Sequence, residues 1–328
     1  MEAAAKSTPK KRRFAYREEY GVAGATLGII LIVGAFFPSF IAPEQLVDIV
    51  RQAAYVSIMA MGMVFLLSMR EIDLSVGAIF ALSGVVAALL ISADINPWVA
   101  SLAGILAGAI AGALNGILTV VIAVPTMIVT LASLSVIRGL ALALAGGQQV
   151  GGLPRDHPFF AIVGGTALGL PVSVWVVLIV AVVLTVLLTS TRFGSRVRAI
   201  GANPEAARVS GMPLRTVRVI VMALSGGLAG IAGILALGFF GAGDPTLGSG
   251  YELTAIAAAI IGGTSMAGGR GSVPGALLGT LLLGSVASGL VYFGIPINWS
   301  MFATGCVILG AVALDSVIRR VRAQRLSL

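Results

Sequence analysis

Thr191 to Arg218 reads TRFGSRVRAIGANPEAARVSGMPLRTVR, a polar and strongly basic interruption between two long apolar runs. Within it, Asn203 stands directly before Pro204, and Gly211 closes the run. An Asn side chain accepts hydrogen bonds from a first helical turn, Pro suits the first helical position, and Gly permits a left-handed exit. The spacing therefore predicts a two-turn helix outside the hydrocarbon, a handle by which another protein can move the attached spans.

The composition sets this segment in a membrane protein. Hydrophobic residues make up 58% of the 328 residues and charged residues 10%, and the mean hydropathy is +1.05. Apolar surface on this scale exceeds what one soluble core buries, so we predict an all-α polytopic membrane protein in contact with lipid. The single cysteine, Cys306, lies in an apolar run. This usage predicts neither a disulfide framework nor a thiolate metal site.

The apolar runs define the spans. A helix that crosses a bilayer needs about 20 apolar residues. On that measure we predict ten spans, over residues 21–42, 48–69, 74–92, 97–123, 127–145, 172–190, 217–242, 251–263, 274–293 and 297–317. The eighth is too short to cross as a straight helix, which predicts a re-entrant or broken helix shielded by protein. One membrane domain over 21–318 thus lies between basic tails at 1–20 and 319–328.

The basic residues predict the orientation, because cytosolic loops carry an excess of Lys and Arg. These residues cluster at 1–20, 191–218 and 319–328, with Arg70 and Arg270 between the clusters. Ten crossings with both termini in the cytosol place 18 of the 21 basic residues on the cytosolic side, whereas Arg155 lies outside and Arg51 and Arg138 fall near or within spans. The net charge of +8 is therefore a topology signal, and we predict no nucleic-acid partner.

Catalytic chemistry is not predicted. All three lysines lie in the first 20 residues, so no glycine-rich loop ends in the Lys that a P-loop requires. The one histidine, His157, is expected to be a solvated residue of an outer loop, and a lone histidine makes no metal cluster. We therefore expect no enzyme activity, no catalytic residue, no metal site and no cofactor in this chain.

Small residues repeat at helical spacing. Glycine recurs every four residues in the fourth span and again near the ninth, at Gly104, Gly108, Gly112 and Gly116 and at Gly271, Gly275 and Gly279. This spacing keeps small residues on nearly one helix face, where backbones approach closely. It predicts tight helix packing; a face that slides during a conformational cycle is the alternative.

Polar side chains in or beside spans are costly, and usually face a cavity or a partner. Five are candidates for a translocation path or a subunit interface: Asp73, Asn115, Thr130, Ser133 and Arg138. Two alternatives stay open, since Asp73 can cap the third span and Asn115 can bond to a neighbouring helix. Apart from Glu252, at the start of the eighth span, no span carries a carboxylate near its middle, which argues against a proton relay.

The outer loop from Gly146 to Pro171 is rich in glycine and long enough to dock a solute-binding protein. A second outer segment, Gly241 to Gly250, can share the same surface. The candidate docking residues are Gln148, Gln149, Arg155, Asp156 and Asp244. A featureless turn is the alternative for this loop.

Three segments carry a resemblance to a known family. They are Glu71–Gly77 (EIDLSVG), Ala199–Gly211 (AIGANPEAARVSG) and Tyr251–Gly271, which contains GGTSMAGGRG. On these motifs the chain resembles the ribose-type permease subunits of ABC importers, which include permeases for ribose, xylose, arabinose, galactose and autoinducer-2. The likeness runs over nearly the whole chain beyond the N-terminal tail.

The resemblance implies that Asn203–Gly211 is a coupling helix that seats in a groove of a separate ATPase subunit, where ATP and Mg²⁺ are held. The implied coupling residues are Gly201, Asn203, Pro204, Glu205, Ala206, Ala207, Arg208 and Gly211. It also implies a second permease, identical or related, and a periplasmic binding protein at the bacterial inner (cytoplasmic) membrane. The expected function is the translocation path for a ribose-like monosaccharide.

An inverted repeat of spans 2–5 and 7–10 is predicted as well, because an odd separation of five crossings reverses orientation. Three other functions stay open. A branched-chain amino acid or nucleoside permease shares the architecture, a self-powered secondary transporter needs an ion or proton site, and a channel or structural subunit would not need the capped helix. The sequence predicts neither the particular sugar nor a homodimer over a heterodimer.

Overall fold

The structure is a computed structural model that describes residues 15–295 together with 299, 302, 305, 306, 309 and 310, with side chains from Glu19 onward. Helices dominate it, and one small hairpin provides the strands. In chain order the elements are α1 (Ala15–Phe36), the 3-10 helix η1 (Pro38–Ile41), α2 (Pro43–Ser68), α3 (Val76–Ser92), α4 (Pro97–Ile122), α5 (Thr126–Leu144), α6 (Pro158–Val163), β1 (Thr166–Ala167), β2 (Leu170–Pro171), α7 (Val172–Ser190), α8 (Arg192–Ala202), α9 (Pro204–Val209), α10 (Leu214–Phe240), α11 (Tyr251–Ile261) and α12 (Val273–Tyr292).

The prediction of an all-α polytopic membrane protein is confirmed. Within the described residues, seven helices are long and apolar enough to cross a membrane: α1, α2, α4, α5, α7, α10 and α12. The third and eighth predicted spans contain shorter helices, α3 and α11, of 17 and 11 residues. The predicted tenth span, 297–317, and the tail 319–328 lie largely or wholly outside the described residues, so the number of crossings stays a prediction.

The first helix differs from its prediction. α1 begins at Ala15, inside the segment predicted as a tail, and ends at Phe36. Pro38 explains the end, because proline lacks the N–H and clashes with the preceding turn. The chain turns through η1 and re-enters as α2, with Pro43 at its first position.

Two helices form the centre of the molecule. α2 is buried at every position from Ala53 to Ser68, and α10 is buried at most positions from Val221 to Gly238. α4 packs along α10 and α3, while α12 packs along α2 and α11. The predicted inverted repeat makes α2–α4 equivalent to α10–α12. It therefore requires this pattern, in which α4 and α12 each pack on the central helix of the other half. The equivalent of α5 is the tenth span, which lies largely outside the described residues.

The four-residue glycine rows lie at these helix contacts, as predicted. An added Cβ at Gly112 of α4 would lie 2.2 Å from the Met222 carbonyl oxygen of α10, and one at Gly275 of α12 would lie 1.8 Å from the Gly262 oxygen. Both neighbours are backbone atoms, which cannot turn away. Glycine is therefore required for helices to approach this closely.

The third span is broken at its entry. Glu71 lies beside Thr126, the first residue of α5, and the Thr130 hydroxyl, one turn further along α5, donates to Ile72 O at 3.3 Å before α3 begins. Asn115 of α4 donates a hydrogen bond to Ser75, which stands directly before α3. Since Asn115 is seven residues from the end of α4, and a helix rises 1.5 Å per residue, α3 begins about 10 Å inside that end.

The eighth span is broken in the opposite sense, and its helix begins beside the start of α3. Gly243 packs against Ala88 of α3, whereas Gly248, five residues later, packs against Gly77 near the start of α3. The segment between α10 and α11 therefore runs along α3 toward the start of that helix, and residues 245–250 form turns. α11 then continues to Gly262, which packs on α12. The prediction of a broken eighth helix is confirmed, and the matching break ahead of α3 is new.

The loops divide between two ends of the helical bundle. At one end, Gly269 N donates to Ser68 O at 2.9 Å, which joins the segments after α2 and α11. At the other end, Val150 and Gly243 form an antiparallel bridge between the two predicted outer loops. This division agrees with the alternation of spans along the chain. That the first end is cytosolic remains a prediction.

Candidate functional site

The predicted two-turn helix is present as α9. Asn203 caps it in an extended conformation, and its Oδ1 accepts a hydrogen bond from Ala206 N at 3.0 Å. Pro204 takes the first helical position, and Gly211 leaves the helix with φ of +74°. The cap, start and exit predicted from the sequence are all confirmed.

α9 presents its side chains to the surroundings. Glu205 and Arg208 form an ion pair at 2.7 Å with both side chains 71% exposed, and such a pair adds little to stability. Val209 is 81% exposed, although it is apolar, whereas Ala207 is buried. The exposed face combines opposite charges with an apolar residue, a composition suited to a protein partner. Val209 was not among the predicted coupling residues.

α8 holds α9 against the bundle. Thr191 caps α8 by accepting from Gly194 N at 3.1 Å, and the apolar side of the helix is buried at Val197 and Ile200. At Gly201 an added Cβ would lie 1.7 Å from the Ser68 carbonyl oxygen. The backbone in front of α9 is thus in direct contact with the end of α2.

Arg70 fastens this contact, and sequence reasoning missed its role. Its Nε donates to Gly201 O at 2.6 Å, and its second guanidinium nitrogen donates to Ala202 O at 2.9 Å. These carbonyls belong to the last two residues of α8, immediately before the Asn203 cap. Arg70 also adopts φ of +64°, a conformation that non-glycine residues rarely take.

An ion pair joins the same region to α10. Glu71 lies 2.6 Å from a guanidinium nitrogen of Arg218, accepts from its Nε at 2.7 Å, and accepts from the Thr126 hydroxyl. The Glu71 side chain is 12% exposed and that of Arg218 32%, so solvent screens this pair less than the one on α9. Residues 70 and 71 together connect α8, α10 and α5.

The structure brings four of the five predicted path residues together. Asn115 donates to Ser75 Oγ at 2.8 Å and accepts from Ser133 Oγ at 2.6 Å, while Thr130 bonds to the Ile72 carbonyl. Asp73 is fully buried and accepts from both the N–H and hydroxyl of Ser75 at 2.8 and 2.6 Å.

This network holds the broken entry of α3 against α4 and α5. Asp73 does not cap α3 in the predicted way, because Ser75 occupies the N-cap position. Instead, Asp73 fixes the turn before the helix, and its carboxyl group lies near the N-terminal end of α3. Asn115 bonds to neighbouring elements, the alternative left open by the sequence.

Arg138 lies apart from this network. One guanidinium nitrogen donates to the carbonyl oxygens of Pro245 and Leu247 at 2.7 and 2.9 Å. The partner of this half-buried cation is thus the segment before α11. Glu252, at the start of that helix, is only 9% exposed and accepts from Gly250 N at 3.2 Å.

The predicted docking residues lie at the opposite end from α9. Gln148, Gln149, Arg155 and Asp156 are exposed, and Asp244 is half-buried. The Val150–Gly243 bridge brings the two outer loops to one surface, as predicted. The longer loop is not featureless, since it holds α6 and the hairpin β1–β2.

His157 differs from its prediction as a solvated loop residue. It is half-buried and caps α6, with its ring nitrogen accepting from Phe159 N at 3.1 Å. Proline at the next position gave a helix-start signal that the sequence interpretation overlooked.

A cavity of about 520 Å³ lies between α2, α11 and α12. Sequence reasoning did not find it, because its wall combines positions more than 200 residues apart. Gln45 and Ser288 bond across it at 3.0 Å. No pattern within one apolar run could indicate that those two residues meet.

Comparison with known proteins adds a second line of observation. A family model described as the permease component of branched-chain amino acid transport systems matches residues 45–312. The chain is 40% identical over 287 residues to the ribose import permease protein of Bacillus subtilis, covering 88% of this chain and 89% of that protein. It is 37% identical over 294 residues to the ribose import permease protein of Escherichia coli K12, covering 89% and 92%. Against the D-allose transport system permease protein of the same strain, identity is 35% over 306 residues, covering 92% and 93%.

Proposed function

The chain belongs to the ABC-transporter permease family, among its ribose-type sugar permeases, and from this premise we propose that it forms the membrane path of an ATP-driven importer. The path carries a ribose-like monosaccharide across the bacterial inner membrane. A separate ATPase subunit holds ATP and Mg²⁺, a second copy or a related permease completes the path, and a periplasmic binding protein delivers the sugar.

The observation that carries the coupling role is the attachment of α9. The helix is exposed on one side, and the backbone directly before it is fixed to the end of α2 by Arg70 and by the close packing of Gly201. A partner that grips α9 therefore moves α2 and the broken entry of α3 with it. A displacement of α9 that did not also move α2 and the entry of α3 would break these contacts.

The mechanism follows from the same contacts. When the ATPase pair closes on ATP, its groove displaces α9, and Arg70 transmits the displacement to residues 70–75. Glu71 in that stretch is paired with Arg218, so α10 follows. Gly269 is bonded to Ser68, so the segment between α11 and α12 is drawn along too. Both broken spans are thereby moved from one point, which alternates access to the path.

The substrate class is supported by the relatives, which are named for ribose, D-allose and L-arabinose. These are uncharged aldoses. The family description instead names branched-chain amino acids, so leucine is the informative competitor. A self-powered carrier remains the alternative in another class, and it predicts uptake without an ATPase.

The experiment is solute uptake into proteoliposomes that hold this chain with its ATPase and binding protein, comparing wild type with Glu205→Arg. The variant reverses a charge on the exposed face of α9 and breaks its pair with Arg208. We expect ATP-dependent D-ribose uptake by wild type, unaffected by leucine. Glu205→Arg should lower uptake and ATPase recruitment together by ten-fold or more.

Glu44→Arg is the matched control. Glu44 follows Pro43 in the first turn of α2 just as Glu205 follows Pro204 in α9, and it is exposed at the opposite end of the molecule. It should transport like wild type. Normal uptake by Glu205→Arg, or uptake by wild type without ATPase, would contradict the importer mechanism.

A further inference from the structure

We infer that the cavity between α2, α11 and α12 is the outward-facing sugar site of the permease, an inference that rests on the proposed function. Its volume of about 520 Å³ falls within the roughly 300–1,000 Å³ typical of small-molecule sites. Gly305, from the tenth predicted span, borders it. None of the predicted path residues lines it, so it is distinct from the polar network around Asn115.

The chemistry of the wall suits an uncharged polyhydroxylated solute. Polar groups come from all three helices: Gln45, Gln52, Tyr251, Thr254, Thr280 and Ser288. Among the described lining residues, none carries a charge. Amides and hydroxyls replace the water around a sugar, whereas the charged groups of an amino acid would be left without charged partners. The wall therefore favours a monosaccharide over leucine.

Some of these groups are free to bind and others are held in place. The Gln52 amide is exposed and, within the described part of the chain, makes no hydrogen bond. Gln45 donates to Ser288 Oγ at 3.0 Å, so both side chains are already oriented. The ring of Tyr292 packs edge-on against Phe40, with centroids 5.2 Å apart, and forms a rigid aromatic wall. A solute thus meets side chains that are already held in place, together with the Gln52 amide, which is free to form hydrogen bonds.

The cavity is open at one end and closed at the other. Gln45 is near the start of α2 and Ser288 is near the end of α12, at the end of the bundle that carries the docking loops. At its floor, the hydroxyls of Ser57 and Thr280 hydrogen-bond at 2.5 Å. Thr280 is twelve residues from the end of α12, so the floor lies about 18 Å below the mouth.

Packing below the floor explains the closure. At Gly279 an added Cβ would lie 2.2 Å from the Ala258 oxygen, so α12 and α11 are in backbone contact there. At Gly284, above the floor, the nearest atom would be the Ala53 Cβ at 3.6 Å. Beside the floor α12 thus meets α11 backbone to backbone, whereas above the floor it meets α2 only at the Ala53 side chain. The arrangement is that of an outward-open site whose inner gate includes the Ser57–Thr280 pair.

The test fills the cavity from a position that tolerates a side chain. Gly284→Leu projects into the space beside Ala53, and Gly227→Leu is the control, because its Cβ would likewise meet an alanine Cβ at 3.6 Å but outside the cavity. D-ribose uptake and ATPase recruitment are measured for both. We expect at least a ten-fold loss of uptake for Gly284→Leu with recruitment intact, and near-normal uptake for Gly227→Leu.

Full uptake by Gly284→Leu overturns the site while leaving the importer function standing; lack of ATP-dependent ribose uptake by wild type would instead remove the function itself. If Gly284→Leu fails to assemble, Gln52→Ala decides. That side chain is exposed and supports no other residue by a hydrogen bond in the described chain. Uptake lowered several-fold at limiting ribose supports the site, and unchanged uptake overturns it.

Discussion

Arg70 illustrates how one side chain connects parts of the chain that the sequence keeps far apart. Asn203, Pro204 and Gly211 were predictable, because a helix cap depends on residues within one or two turns. The partners of Arg70 are carbonyl groups 131 and 132 positions away. From the sequence alone, Arg70 contributed only to the distribution of basic residues that predicts which side of the membrane is cytosolic.

A first prediction concerns this residue. Arg70→Ala removes both hydrogen bonds in front of α9 and leaves its exposed face unchanged, so the ATPase should still bind while sugar uptake per ATP hydrolysed falls several-fold. Arg70→Lys should restore part of the coupling, because an ammonium group reaches one carbonyl but does not span two as the planar guanidinium does. Measuring uptake and hydrolysis in the same proteoliposomes separates coupling from assembly.

Arg196→Ala is the control for lost charge. Arg196 is exposed on α8, and its side chain has no hydrogen bond or ion pair within the described residues. It should keep the wild-type ratio of uptake to hydrolysis. An unchanged ratio for Arg70→Ala would show that displacement of α9 reaches the spans by another contact.

At the scale of elements, hydropathy located the helices and missed how two of them begin. Nine predicted spans overlap helices because each is an apolar run, and the shortness of the 11-residue α11 was predicted from the length of its run and from Gly262. The break before α3 was missed, because Asp73 and Ser75 also fit an ordinary helix start. Only the contact with Asn115 shows that this start lies about 10 Å inside the end of α4.

The meeting of the two broken spans leads to the next prediction. At Gly77 an added Cβ would lie 2.4 Å from both Glu252 Oε2 and the Gly248 oxygen, whereas at Gly84 of the same helix the nearest atom would be Gly233 O at 3.5 Å. Gly77→Ala should therefore destabilise the protein by about 1–3 kcal/mol through overpacking. Gly84→Ala should be neutral or stabilising by roughly 0.5–1 kcal/mol, because alanine favours helix.

Thermal unfolding of the two purified variants in the same detergent measures the difference. Since both changes add one methyl group to α3, unequal melting temperatures report the local contact alone. Equal melting temperatures would mean that α11 does not start against α3.

At the scale of the whole molecule, α4 of the first half packs on α10, and α12 of the second half packs on α2. This packing brings the two broken spans together. Each half of the chain supplies one central helix, α2 or α10, and one glycine-bearing helix that packs on the central helix of the other half. The sequence suggested the repeat only by counting crossings. Its packing could not be derived, because the glycine rows do not specify which helix they contact.

The last prediction tests which end of the molecule faces the cytosol. The positive-inside rule places α8 and α9 inside and the loop with Gln148 outside. In a Cys306→Ser background, one variant carries Gln148→Cys and the other Arg196→Cys, both at exposed positions. A membrane-impermeant thiol reagent added to intact cells should label the first and not the second, and inverted vesicles should reverse this result.

Labelling of both from one side would mean that both residues lie on the same side of the membrane. That result would contradict a crossing by α7, which lies between them in the chain. Labelling in the opposite sense would place α9 outside the cell, away from any ATPase, and would remove the physical basis for coupling.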